Sequence, residues 1–231
     1  MKKTIAILLI PISLRTNLFE STYSRPTPTE ETKILTKAEL LEIEYQAYLV
    51  EQEKIRAEQE KIKLEEEEKK RIAEIERKNS VGCDFNNLTR PSNLKAEELY
   101  SLLSDTKLRD LSWTIIQCEK DYNVNAILLT SLIALESGWG TSDRANYQNN
   151  LSGFAVYNDN SKGTYFASKE QCVIATAKML QKDYLREDGV YFNGYGLDDV
   201  NIKYSADKKW ATKINAIAQK LSTKYSTELN K

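Results

Sequence analysis

Between Asn125 and Gly140 the chain reads Asn-Ala-Ile-Leu-Leu-Thr-Ser-Leu-Ile-Ala-Leu-Glu-Ser-Gly-Trp-Gly, and no other stretch constrains the fold so tightly. Ile127, Leu128, Leu132 and Leu135 recur at helical spacing, which predicts a buried helix from Asn125 to Ser137. Gly138 and Gly140 supply the positive φ that ends a helix and let the chain pass close to a neighbour. One acid, Glu136, closes the apolar run beside Trp139. Burial disfavours the charged form of a carboxyl, so a Glu held there has a raised pKa and can act as a general acid near neutral pH. The spacing fits a Glu that merely caps or ion-pairs at a helix end equally well.

Composition narrows the chemistry. The 231 residues contain no histidine, which removes Ser-His and Cys-His nucleophile pairs and His-ligated zinc. Carboxylate-driven chemistry survives that filter. A net charge of −1 offers no basic field for nucleic acid. No phosphate loop and no cation-loop spacing occurs, so neither a cofactor nor a metal is expected. Cys83, Cys118 and Cys172 permit one disulfide and one leftover thiol, although Cys118 and Cys172 sit among apolar residues where plain buried thiols are the commoner outcome. With no histidine to activate it, no cysteine is expected to be a nucleophile.

The organisation is read from charge and breakers. Lys2-Lys3 followed by the apolar run Thr4 to Leu14 predicts a signal peptide or short anchor over residues 1–24, with a Pro-containing linker over 25–32. Residues 33–78 lack Gly and Pro and carry acid-first pairs such as Glu65–Lys69, Glu66–Lys70 and Glu67–Arg71, so a long charged helix is expected. Leu41, Tyr48, Ile55 and Ile62 recur every seven residues, but Lys69 follows, and the complementary seam falls on Glu44, Glu51, Glu58 and Glu65. On that frame a solvated single spacer helix is favoured, with weak self-association as the alternative. Residues 79–94, with Gly82, Asn86-Asn87 and Pro91, read as a second linker ahead of a domain over 95–231.

Within that domain, helices are expected over about 95–103, 108–122 and 125–137, and then a loop or small hairpin over 147–165. Ser168 and Gln171 suit a helix start, and Asp207 suits the N-cap of a last helix striped by Trp210, Ile214, Ile217 and Leu221.

Glu136-Ser137-Gly138-Trp139-Gly140-Thr141-Ser142 and Asn149-Asn150-Leu151-Ser152-Gly153-Phe154 together resemble the signature of the glucosaminidase domain family, glycoside hydrolase family 73. Later blocks, including Tyr191-Phe192-Asn193-Gly194, Asn201 to Asp207 and Trp210 to Ile214, are similar to that family in order. The resemblance spans about residues 95–225 and implies a mainly α, lysozyme-like helical domain with a short hairpin or loop lobe, preceded here by the charged helix. It implies a secreted or wall-bound enzyme, alternatively tethered by an uncleaved N-terminus, acting on peptidoglycan glycan strands.

Under the resemblance Glu136 is the general acid for the bond between N-acetylglucosamine and N-acetylmuramic acid. Asp159 is the only acid in the lobe, although flanked by asparagines it is more naturally a turn residue. Without a second carboxylate, the substrate's acetamido group can assist. The resemblance places Tyr204 near the cleft, and Trp139, Asn149, Asn150 and Tyr157 are candidates for sugar contacts. Two alternatives stay open: a muramidase or lytic transglycosylase using the same acid, and a catalytically silent wall-binding or assembly protein.

Overall fold

A computed structural model describes residues 36–156 and 162–229. The expected signal segment, the 25–32 linker, Tyr157 and Asp159 lie outside the described residues. The chain divides into two compact units, residues 1–60 and 61–231. The described part of the first is, from Lys37 on, the beginning of α1 (Lys37–Asn79), which buries none of its residues.

The second unit is built around one helix. After the end of α1 come α2 (Ala96–Leu102), a 3₁₀ turn (Arg109–Leu111), α3 (Ser112–Tyr122) and α4 (Ala126–Ser137). Then follow α5 (Asp143–Tyr147), α6 (Lys169–Met179), a π-helical turn (Leu180–Tyr184), α7 (Leu197–Tyr204) and α8 (Trp210–Glu228). No strand occurs among the described residues, and those of the lobe after α5 that are described, up to Val156 and from Lys162, are loop. α4 is apolar on every side, as a central helix must be. It packs against α8, α3 and α6, and only Leu135 and Glu136 escape burial.

Both ends of α4 are tied by side chains. Asn125 caps it, its Oδ1 accepting from the backbone amides of Ile127 (2.9 Å) and Leu128 (3.1 Å), while its Nδ2 donates to the carbonyls of Gly82 (3.1 Å) and Arg90 (3.0 Å). Glu119 lies beside the cap, 9% exposed, and its Oε2 accepts from the amides of Ser92 (2.7 Å) and Ala126 (2.6 Å). At the other end Gly138 turns left-handed (φ 58°), and the Trp139 amide closes onto Ala134 O at 2.8 Å. Gly140 (φ 80°) passes so close to the preceding loop that a Cβ there would lie 3.0 Å from Leu108 Cδ2.

Two boundaries differ from expectation. Residues 79–94 are no linker. Leu88 is fully buried, its amide donates to Tyr195 O at 2.9 Å, and its carbonyl accepts from the Asn125 amide at 3.0 Å. The segment also receives the last turn of α1, where Arg77 Nη1 donates to the Asn93 carbonyl at 2.5 Å; the same guanidinium forks onto Glu98 of α2 (Nη2–Oε1 2.6 Å, Nη1–Oε2 3.0 Å) and also binds Glu74. The breakers there mark a change of direction inside the domain, which a count of Gly, Asn and Pro cannot tell from a hinge. Asp207 does not cap α8 either. The helix begins at Trp210, and Asp207 forms the turn before it, its Oδ1 accepting from the Lys209 amide at 2.8 Å. Ser168 does cap α6, accepting from the Gln171 amide at 3.3 Å.

Candidate active site

α4 delivers Glu136 in its last turn, where the macrodipole disfavours negative charge. The carboxyl is open to solvent at the cleft floor, not buried as the sequence suggests. It is nonetheless hemmed in by protein, and this desolvation raises its pKa above the ordinary Glu value. Two groups work against the rise: Trp210 Nε1 donates to Oε1 at 3.1 Å, and the nearby Lys213 ammonium attracts the charge. Lys213 is itself engaged by Asp207 Oδ2 at 2.7 Å.

The cleft above the carboxyl holds about 410 Å³. One wall is the loop Ser152 to Val156; the other is Met179, Tyr184, Tyr204 and Ser205. Among the described residues lining it, Glu136 is the only acid. The two wall tyrosines belong to a run of four packed rings: Trp210 to Tyr204 (centroids 4.7 Å apart), Tyr204 to Tyr184 (5.5 Å) and Tyr184 to Tyr191 (5.1 Å). Burial above all, and then the charges of Glu136 and Tyr184, hold the Tyr204 phenol far above its usual pKa. At neutral pH Tyr204 is therefore a hydrogen-bond donor and not a base. Tyr184 reaches the wall from the π-helical turn, whose wider winding appears as the 2.9 Å bond from the Leu185 amide to Leu180 O.

The predicted sugar contacts divide. Tyr204 lines the same cleft as Glu136. Trp139 packs half-buried against the core in a left-handed conformation (φ 59°) and is not among the residues that line the cleft. The subsite role expected of Asn149 and Asn150 is not how their amides are used. Asn150 is buried and pins the loop, its Oδ1 accepting from the Phe154 amide and its Nδ2 donating to the Phe154 carbonyl, both at 3.0 Å. Asn149 Nδ2 ties Phe166 O at 3.0 Å. These residues build the wall from behind. Ala155, in the wall itself, also takes a positive φ of 56°.

Trp210 is the functional residue the sequence did not reveal. Its place in the stripe of α8 reads as core, and it is core, yet its one polar atom faces Glu136. The three cysteines are free. Burial holds the Cys83 thiol up at about 12 and Cys118 at about 11, so neither is a nucleophile. No group of ligating side chains suited to a metal occurs among the described residues.

Residues 112–223 match the family model Glucosaminidase, described as mannosyl-glycoprotein endo-beta-N-acetylglucosaminidase. That match takes in just under half of the chain and makes it similar to glucosaminidases. Two relatives from Streptococcus pneumoniae, strains TIGR4 and R6, are provisionally named endo-beta-N-acetylglucosaminidases and are 30% identical over 147 residues. That alignment takes in 61% of this chain but only 22% and 21% of theirs, so the chain spans about a fifth of those relatives. The fold is similar to that of S. aureus autolysin E. Its complex with the muropeptide NAM-L-Ala-D-iGlu superposes with a TM-score of 0.52 at 20% identity, covering 67% of this chain and 78% of that one. A second autolysin E structure gives 0.51, again at 20% identity, covering 64% and 74%.

Proposed function

We propose that this chain is a peptidoglycan hydrolase acting in the cell wall, with Glu136 as the proton donor to the leaving glycosidic oxygen. The observation that carries the reading is one carboxyl, raised in pKa and held by Trp210, at the floor of a cleft walled by aromatic rings. Hydrolysis of a β-1,4 glycoside needs a proton on the leaving oxygen and support for an oxocarbenium-like centre. Glu136 answers the first need when protonated, and its desolvation extends the pH range over which it remains so.

For the second need we favour assistance by the substrate's own N-acetyl group. Its carbonyl oxygen attacks the anomeric carbon as the glycosidic bond breaks, and water later opens the cyclic intermediate. Tyr204, protonated and next to Glu136, is placed to donate a hydrogen bond to that acetamide or to the water. Asp159 is the competing second carboxylate. Asp159→Asn separates the two routes: a mild loss of rate supports acetamido assistance, and a loss comparable to that of Glu136→Gln assigns Asp159 the role.

The bond is inferred to be the one that leaves N-acetylglucosamine at the new reducing end. This rests on the family and on the names of the relatives. Borohydride reduction of a peptidoglycan digest followed by sugar analysis tests it. Reduced glucosamine is expected; reduced muramic acid would make the enzyme a muramidase using the same acid. An anhydro-muramyl end, which resists reduction, would make it a lytic transglycosylase. No released ends from the folded protein would leave a silent wall-binding protein.

A further inference from the structure

We infer that α1 pairs in parallel with α1 of a second copy of this chain, through a seam running from Ala38 to Ile62. The structure presents a 43-residue helix that buries nothing, yet exposes Leu41, Tyr45, Tyr48, Ile55 and Ile62, between 43% and 58% each. A helix of that kind gains little from its own propensity and is usually held by packing of an apolar stripe.

The frame of the heptad decides whether a partner fits. With the stripe Leu41, Tyr48, Ile55, Ile62 at position a, the complementary d positions are four glutamates, and pairing fails. Moved to position d, the same stripe is completed at a by Ala38, Tyr45, Gln52 and Gln59. The seam then carries no charge for four heptads and ends at Glu66 and Lys69. Isolated polar a residues weaken such a seam while fixing its register.

Charge complementarity selects the partner and its direction. Through the four heptads from residue 38 to 65 the g positions are all acidic: Glu44, Glu51, Glu58 and Glu65. The e positions change from Glu42 and Leu49 to Arg56 and Lys63. In a parallel pair, each g residue faces the e residue of the following heptad on the other helix. Glu51 then meets Arg56 of the second copy, and Glu58 meets Lys63 of the second copy, each twice by symmetry. In an antiparallel pair g faces g, which sets glutamates against glutamates. The helix is therefore complementary to itself in one direction only. Polar a positions make the association weak and reversible, and its use would be bivalence: two glucosaminidase domains tethered on one polymer release it more slowly than one.

The seam residues are far from Glu136 in the chain and take no part in the proposed chemistry, so this inference stands or falls apart from that reading. Sedimentation of the full chain over a concentration series should show a monomer–dimer equilibrium. Glu51→Lys with Glu58→Lys should weaken it about tenfold or more, and Arg56→Glu with Lys63→Glu should do the same. An equimolar mixture of the two double variants should recover the association, because the 51–56 and 58–63 contacts are again opposite in sign. That recovery cannot come from misfolded helices. Gln52→Cys should form an interchain disulfide on mild oxidation, as parallel, in-register helices bring position 52 against itself. Activity on soluble wall fragments should be unchanged in every variant. A monomer at all concentrations overturns the proposal, as does a dimer indifferent to the charge reversals. So does a monomer that instead binds anionic vesicles through Ile43 and Val50, lost in Ile43→Ser with Val50→Ser.

Discussion

Two glutamates sit at opposite ends of α4, and their surroundings are opposite in kind. Glu119 is buried, yet its carboxylate lies at the helix N-terminus and accepts from two backbone amides. Glu136 is open to solvent, yet it lies at the helix C-terminus with one Trp donor and a raised pKa. The buried acid is satisfied and structural, while the exposed one is left with unspent hydrogen-bonding capacity facing a cleft. Burial alone would have picked the wrong residue. What marks a proton donor is a mismatch between the charged form and its setting.

The most severe way to break the N-terminal arrangement is to remove what covers it. A chain starting at Pro91 loses Gly82, whose carbonyl accepts from the Asn125 amide group, the core residue Leu88, and Arg77. It should fail to give a cooperative melt, whereas one starting at Lys61 should melt like the full chain. A cooperative melt from the shorter chain would restore residues 79–94 to the status of a linker.

At the C-terminal end, Glu136→Gln should leave the melt unchanged or raised and cut turnover by about 10²–10⁴-fold. The sign for stability follows from linkage. The folded site binds its proton more tightly than the unfolded chain, so Glu136 lowers stability as pH rises through the ordinary Glu range to its raised value. Gln keeps an acceptor for Trp210 and removes that dependence. Wild-type turnover in a folded Glu136→Gln protein would undo the assignment.

Glu119→Ala is the converse experiment. Two buried amides lose their acceptor, at a cost of about 2–4 kcal/mol, read as a lowered denaturant midpoint. The fraction that remains folded should keep its specific activity. A loss of activity without loss of stability would mean that the two glutamates do not differ in the way described.

The smallest effects concern tuning. Trp210→Phe removes the hydrogen bond that favours ionised Glu136, so the alkaline limb of the pH–rate profile should move to higher pH. Lys213→Met removes an attractive charge and should move it the same way by less, since the Trp210 bond is the larger of the two effects. A shift of either limb to lower pH would contradict the electrostatics of the site.

Local rules were enough for much of this. The all-apolar run from Ala126, capped by Asn125 and ended by Gly138, determined that α4 would be a central helix and that Glu136 would stand at its end. Ser168 determined the start of α6, and the unbroken charged run determined α1. These are properties of neighbours along the chain, which periodicity and capping report directly.

What the sequence left open depends on contacts between residues far apart in it. Trp210 meets Glu136 across 74 positions, and nothing in the pattern of α8 says which face of the indole carries the donor bond. Asn149 and Asn150 look like sugar ligands because free amides are, and only the folded loop shows those amides bonded to Phe154 and Phe166. The breakers of residues 79–94 look like a hinge until Leu88 is found in the core. Tertiary packing decided these points because hydrogen-bonding capacity and burial are settled by whichever partner arrives. The chain alone determined where an acid and its helix would be, and the fold decided which groups would set its proton affinity.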